Sequence, residues 1–238
     1  MNGRRRYRAT IRIWQDVIAA DEGTLTDLRG VRDDPLSVWL IVDGERAGLI
    51  GRDSIERFGL HAGMTLDTET LARIDDAVCE RLCERSAVRS LAARNYCRVG
   101  LIRSLRRKGF ETVVCERVAE HFVAMGAIDD ARVAEITVRN ELARRPAGRR
   151  LLEAKLRAKG IDDRDARAAI DAGLEGRDEF ADARALAVRA VGSMQRGLRS
   201  PLGADVIRRR VTGRLARRGF SGETVRKAVD EALLGDGS

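Results

Sequence analysis

Apolar and polar positions in this chain follow two regimes. Residues 7–51 read as β. Tyr7–Trp14 alternates, with Ile11 and Ile13 on one side and Arg12 between them, and Leu36–Val42 is an apolar, β-branched run. Asp43-Gly44 is a two-residue type I′ hairpin signal, Glu45–Ile50 is the return strand, and Pro35 marks the entry. Arg52–Phe58 then reads as a short helix with Asp53 or Ser54 near its cap and Gly59 past its end; Leu60–Leu66 reads as a loop carrying Gly63. From Thr68 the period changes to 3.6, through Leu71, Ile74, Val78, Leu82, Val88 and Leu91. This is one helix to about Arg94, or two broken near Ser86.

Beyond that point the pattern repeats. Leu105-Arg106-Arg107-Lys108-Gly109-Phe110 returns as Leu156-Arg157-Ala158-Lys159-Gly160-Ile161 and as Leu215-Ala216-Arg217-Arg218-Gly219-Phe220. Each copy has the form of a helix C-terminus. The Gly takes the left-handed C′ position, and the Leu and the Phe or Ile stand at C3 and C″, the apolar pair of a Schellman cap. Asp162 and Ser221 follow at once as caps of new helices, and Asp129 is placed to cap another. The copies lie 51 and 59 residues apart, which marks a tandem array. The expected helices are about 98–108 and 112–125, closed by Gly126; then 130–143, 147–159 and 163–174, followed by Gly176; then 179–196, 203–218 and 222–234. Pro146 and Pro201 stand before second helices, where proline is tolerated. Gly197–Gly203 is the longest internal loop and the expected flexible joint. The fold class is therefore mainly α, a tandem array of three three-helix repeats preceded by a small β-rich domain. The expected division is 1–67 for that domain, 68–126 for the linking helix and first repeat, 127–176 for the second and 177–238 for the third.

Charge sharpens this picture. The net charge is +8 and the sequence pI about 10.0, which points to an acidic partner, most often nucleic acid. Residues 1–70 hold 10 basic and 12 acidic residues, while residues 71–238 hold 35 and 25, so the excess belongs to the helical array. Within it the second helices carry the cations. Arg98, Arg103, Arg106, Arg107 and Lys108 stand in the first copy; Arg149, Arg150, Lys155, Arg157 and Lys159 in the second; Arg208, Arg209, Arg210, Arg214, Arg217 and Arg218 in the third. Against these 16 stand only Glu153 and Asp205. Lys108, Lys159 and Arg218 share one slot, where a cation also suits the negative end of the helix dipole. Arg98, Arg103, Arg149, Arg150 and Arg208–Arg210 sit near helix N-termini, where the dipole disfavours cations, so they are better explained by an electropositive binding surface.

Signals for chemistry are weak. Asp129-Asp130 has no second acidic pair and reads as a helix cap. Cys79 and Cys83 share a helix face, but Cys97 and Cys115 complete no zinc spacing. His61 and His121 lie far apart, and neither G-x-x-x-x-G-K-[ST] nor G-x-G-x-x-G is present. No catalytic residue, metal or cofactor is expected. The four cysteines suggest reduced thiols and a cytoplasmic setting. No apolar run approaches a membrane span, and Arg4-Arg5-Arg6 leads into no signal-peptide core.

The three Leu-x-x-[Lys/Arg]-Gly-[Phe/Ile] turns, the Gly-x-Ile-Asp-Asp-x-Arg-x-Ala stretch at 126–134 and the Pro146–Arg150 lead into the second turn resemble the RecX family, regulators of the recombinase RecA. The resemblance covers about residues 86–234. Residues 36–74, with Val42-Asp43-Gly44-Glu45 and Gly63-Met64-Thr65-Leu66, are similar to the β-rich extension of longer members. Two departures stand out: Cys97-Arg98-Val99-Gly100 replaces a Ser-x-x-Glu capping box, and Val133 replaces an aromatic. The resemblance implies a non-enzymatic modulator that binds the groove of a RecA filament on single-stranded DNA; the chain itself is expected to be a monomer. It implies restraint of ATP hydrolysis, strand exchange and coprotease activity. The alternative is a tandem tri-helical protein acting directly on naked DNA. Myb-type repeats would carry regularly spaced Trp, which this array lacks, and a tetratricopeptide array would repeat at 34.

Overall fold

The computed structural model describes residues 3–196 and 203–234. Pro201 and most of the loop expected at Gly197–Gly203 lie outside the described residues. Contacts divide the chain into two compact units, Met1–Ile128 and Asp129–Ser238.

The first unit opens with a correction. Tyr7–Trp14 is not a strand; it lies in helix α1, Gly3–Ala20. The alternation of Ile11 and Ile13 is too short to outweigh the stripe Ile13, Trp14, Val17 and Ile18, which a 3.6-residue turn puts on one face. Trp14 is 1% exposed, and its indole N–H donates to Asp75 Oδ1 at 2.8 Å. Four strands follow: β1 Glu22–Val31, β2 Asp34–Val42, β3 Glu45–Gly51 and β4 Met64–Asp67, in the antiparallel order β3-β2-β1-β4. The β2–β3 turn is at Asp43-Gly44, both with positive φ (50° and 84°), as a type I′ turn requires. Helix α2, Arg52–Phe58, ends at left-handed Gly59 but starts from Gly51 without a side-chain cap, so neither Asp53 nor Ser54 caps it. Leu60–Leu66 is only partly loop, because Met64–Asp67 pairs with Glu22–Leu25. A four-residue strand has too little pattern of its own and is defined by its partner.

Helix α3 runs unbroken from Thr68 to Ala93, its start capped by Asp67. Leu71, Ile74 and Val78 are buried in one core with the sheet, and the same core continues through Cys83 and Ala87 into α4 (Arg98–Arg106) and α5 (Thr112–Ala124). The second unit holds α6 (Asp130–Arg144), α7 (Arg149–Lys159) and α8 (Asp163–Leu174), then α9 (Glu179–Gln195), α10 (Ala204–Arg217) and α11 (Gly222–Leu234). No strand occurs within 98–234 among the described residues.

The three repeated turns share the expected left-handed glycine, but among the described residues only the middle one closes with the Schellman bond, and the first helix has its C-cap already at Arg107. Gly109, Gly160 and Gly219 have φ of 104°, 84° and 82°. Each Gly N–H bonds three residues back, to Arg106, Arg157 and Ala216, and the middle turn adds Ile161 N–H to Leu156 O, the long bond of a Schellman cap. Leu105, Leu156 and Leu215 are at most 1% exposed and Phe110, Ile161 and Phe220 are buried. Asp129, Asp162 and Ser221 accept from the backbone N–H three residues ahead.

Candidate binding surface on the second helices

Helices α4, α7 and α10 each bury one stripe, Leu101/Leu105, Leu152/Leu156 and Ile207/Val211/Leu215. That stripe fixes where the cations go: those off it must face water or a neighbouring helix. The structure sorts the 16 cations into three sets.

The first set pairs with the third helix of its own repeat. Arg98 meets Glu120 at 2.5 Å and Arg149 meets Asp171 at 2.5 Å, while Arg208 pairs with Asp230. Each Arg precedes its turn Gly by eleven residues, and each carboxylate lies 22 residues beyond its Arg. A cation near a helix N-terminus is tolerated because a fixed carboxylate faces it. The sequence shows acids on the third helices, and the constant spacing of 22 is its one trace of their pairing with these arginines.

The second set holds the fold together. Lys108 Nζ donates to Ser86 Oγ and Ser90 Oγ, both at 2.7 Å, and to Ser86 O at 3.3 Å, tying the end of α4 to α3. Arg218 occupies the same slot in the third repeat but reaches the second. Its guanidinium donates to Glu141 Oε1 at 2.8 Å, Arg145 O at 2.8 Å and Pro146 O at 2.7 and 2.9 Å. Lys155 holds the other oxygen of Glu141 at 2.9 Å. Burial pushes the Glu141 carboxyl up, but the hydrogen bonds from Lys155 and Arg218 outweigh it and hold it below its ordinary range. The backbone joins there as well. Gly148 N–H donates to Arg218 O at 2.9 Å and Arg150 N–H to Gly219 O at 3.3 Å, so the last carbonyls of α10 satisfy the first amides of α7. Only glycines fit: a Cβ on Gly148 would stand 2.3 Å from Gly219 O.

The third set faces outward. Arg103, Arg106, Arg107 and Lys159 are exposed. Arg150, Arg157, Arg209, Arg210, Arg214 and Arg217 are exposed and have no side-chain hydrogen bond or ion pair among the described residues. Arg149 and Arg150 diverge: Arg149 turns to Asp171, while Arg150 lines a hollow of about 360 Å³ with Arg208, Arg226 and Phe220. Unpaired charge is therefore densest on α10. What this arrangement presents outward is a set of guanidinium and ammonium donors, the groups from which anions accept hydrogen bonds.

The chain is similar to known proteins in sequence and in fold. The family model described as "RecX, second three-helix domain" matches residues 129–170. The regulatory protein RecX of Thermobifida fusca (strain YX) is 38% identical over 161 residues, covering 68% of this chain and 80% of that protein. That of Mycobacterium leprae (strain Br4923) is 37% identical over 172 residues, covering 71% of this chain and 90% of its own length. Among solved structures, a crystal structure of regulatory protein RecX superposes with a TM-score of 0.64 at 18% identity, covering 88% of this chain and 99% of that one. At that identity the likeness concerns the fold alone.

Proposed function

The chain belongs to the RecX family, and we propose that it is a non-enzymatic regulator that binds the RecA–DNA filament and restrains its ATPase, strand-exchange and coprotease activities. The observation that carries this reading is the likeness to proteins named regulatory protein RecX, which extends over most of their length. The outward cations are consistent with it, since a filament offers acidic protein and phosphate together. Serial three-helix units contact mostly their neighbours, an architecture suited to following a groove.

The test is binding of the chain to RecA filaments on single-stranded DNA, compared with naked DNA at the same salt, with filament ATPase measured in parallel. Filaments should bind more tightly, binding should weaken with salt, and ATPase inhibition should track occupancy. Arg150→Glu with Arg157→Glu is the appropriate charge reversal, because it leaves the Arg149–Asp171 pair intact. That variant should stay folded and lose filament binding and inhibition together. Wild-type inhibition by the folded variant would remove the second repeat from the interface. Duplex DNA bound as tightly as the filament would favour the naked-DNA reading.

A further inference from the structure

A shallow hollow of about 520 Å³ is lined by Met194 of α9 and by Arg209, Arg210, Gly213, Arg214 and Arg217 of α10. We propose that this hollow is a seat for the phosphate backbone of a DNA strand, giving the third repeat a hold on DNA of its own. The proposal deepens the regulatory reading and rests on it for its biological setting; the seat itself requires only this chain.

Three observations point to phosphate. The first is charge density. The four arginines lie within nine helical positions, eight steps or about 12 Å at 1.5 Å per residue, with no carboxylate partner among the described residues. The neighbouring Arg208 shows the contrast: Asp230 neutralises it, and it does not line the hollow. A DNA strand presents about one charge per 3.4 Å of duplex axis, a density that matches such a row.

The second observation is Gly213. Glycine within a helix weakens it relative to alanine, and such a position usually answers a packing need. Here the protein supplies none. A Cβ would meet only the guanidinium end of Arg217, at 3.4 Å, an ordinary contact. What the missing side chain leaves is room among four guanidinium groups for a ligand to come close to the helix.

The third is what else lines the hollow. Every charge in the lining is positive, as in protein–DNA interfaces, and no acid stands among them to meet a basic partner. The lining has no aromatic ring on which a base could stack, so contact is to the backbone and indifferent to sequence.

The experiment uses the full chain without recombinase, measuring anisotropy of a labelled oligo-dT between 50 and 200 mM salt. Four contacts to a single strand give a log K against log salt slope near −2.8, or about 50-fold loss over that range. Arg210→Gln with Arg214→Gln should flatten the slope by about 1.4, whereas Lys227→Gln on α11, where Lys227 pairs with Glu223, should leave it unchanged. Gly213→Leu should weaken binding with every charge retained and without lowering the melting temperature. Oligo-dA should bind like oligo-dT, and polyglutamate at equal charge should compete poorly. Equal loss in Lys227→Gln, wild-type binding by Gly213→Leu, or displacement by polyglutamate would each overturn the seat, the last in favour of an acidic protein. Co-sedimentation of the same variants with filaments keeps the two readings apart. Filament binding retained after oligonucleotide binding is lost supports the seat and leaves the regulatory reading standing. Filament binding by a wild-type chain that ignores oligonucleotides removes the seat alone.

Discussion

Replacing the turn glycines by alanine tests how the repeats are joined. Gly109 and Gly219 both have positive φ (104° and 82°), so the intrinsic cost of a Cβ there is about 1 kcal/mol at both. Their surroundings differ. Nothing lies within 4 Å of a Cβ on Gly109, whereas one on Gly219 would stand 2.2 Å from Leu151 N and 2.9 Å from Gly148 O. Backbone cannot yield as a flexible side chain can, so α10 must lift from α7. Two backbone hydrogen bonds would be lost at about 1 kcal/mol each, together with part of the Arg218 fork at about 1 kcal/mol. Gly219→Ala should therefore cost about 3–5 kcal/mol and Gly109→Ala about 1 kcal/mol. Urea unfolding followed by circular dichroism measures both, and amide exchange at Gly148 reports the junction directly. Equal losses at the two sites, with the Gly148 amide still protected in Gly219→Ala, would refute the account.

Other outcomes follow from the same geometry. Leu105→Ala, Leu156→Ala and Leu215→Ala should each cost about 2–5 kcal/mol in thermal or urea unfolding, because these side chains are fully buried. The lowered pKa of Glu141 means that its contribution is complete above the ordinary Glu value of 4.5 and is lost as pH falls through the folded value. The stability gap between wild type and Glu141→Gln should therefore narrow on acidification from about pH 6 to about pH 3. The exposed Arg149–Asp171 pair should show a coupling of only about 0.2–1 kcal/mol in a double-mutant cycle.

The helical array was readable because each signal in it is local. A Leu, a Gly and an apolar residue at fixed offsets set the end of a helix whatever packs on it, and all three glycines have positive φ. The first twenty residues were not readable in the same way. Ile11 and Ile13 support either period, and only Trp14 meeting Asp75, 61 positions away, settles the matter. Strand β4 was missed for the same reason, since its identity comes from β1. The cations were legible as a group but not in their roles. Nothing local distinguishes Lys108, bound to two serines of α3, from Arg218, which clamps the preceding repeat. The pairs joining Arg98, Arg149 and Arg208 to Glu120, Asp171 and Asp230 did leave a trace, the repeated interval of 22 residues.

The union of α10 with α7 also sets an order in time. A ribosome releases this chain from the N-terminus, and Pro146 and Arg218 are 72 positions apart. At about 5–20 residues per second, the second repeat is out for about 4–14 s before the residues that complete it are made. During that interval the first amides of α7 have only water as a partner, and Glu141 has Lys155 but not Arg218. A product that stops short of α10 keeps the second repeat in this unfinished state. Proteolysis of such a fragment should begin around Pro146–Arg150, the segment that the last repeat closes in the whole chain.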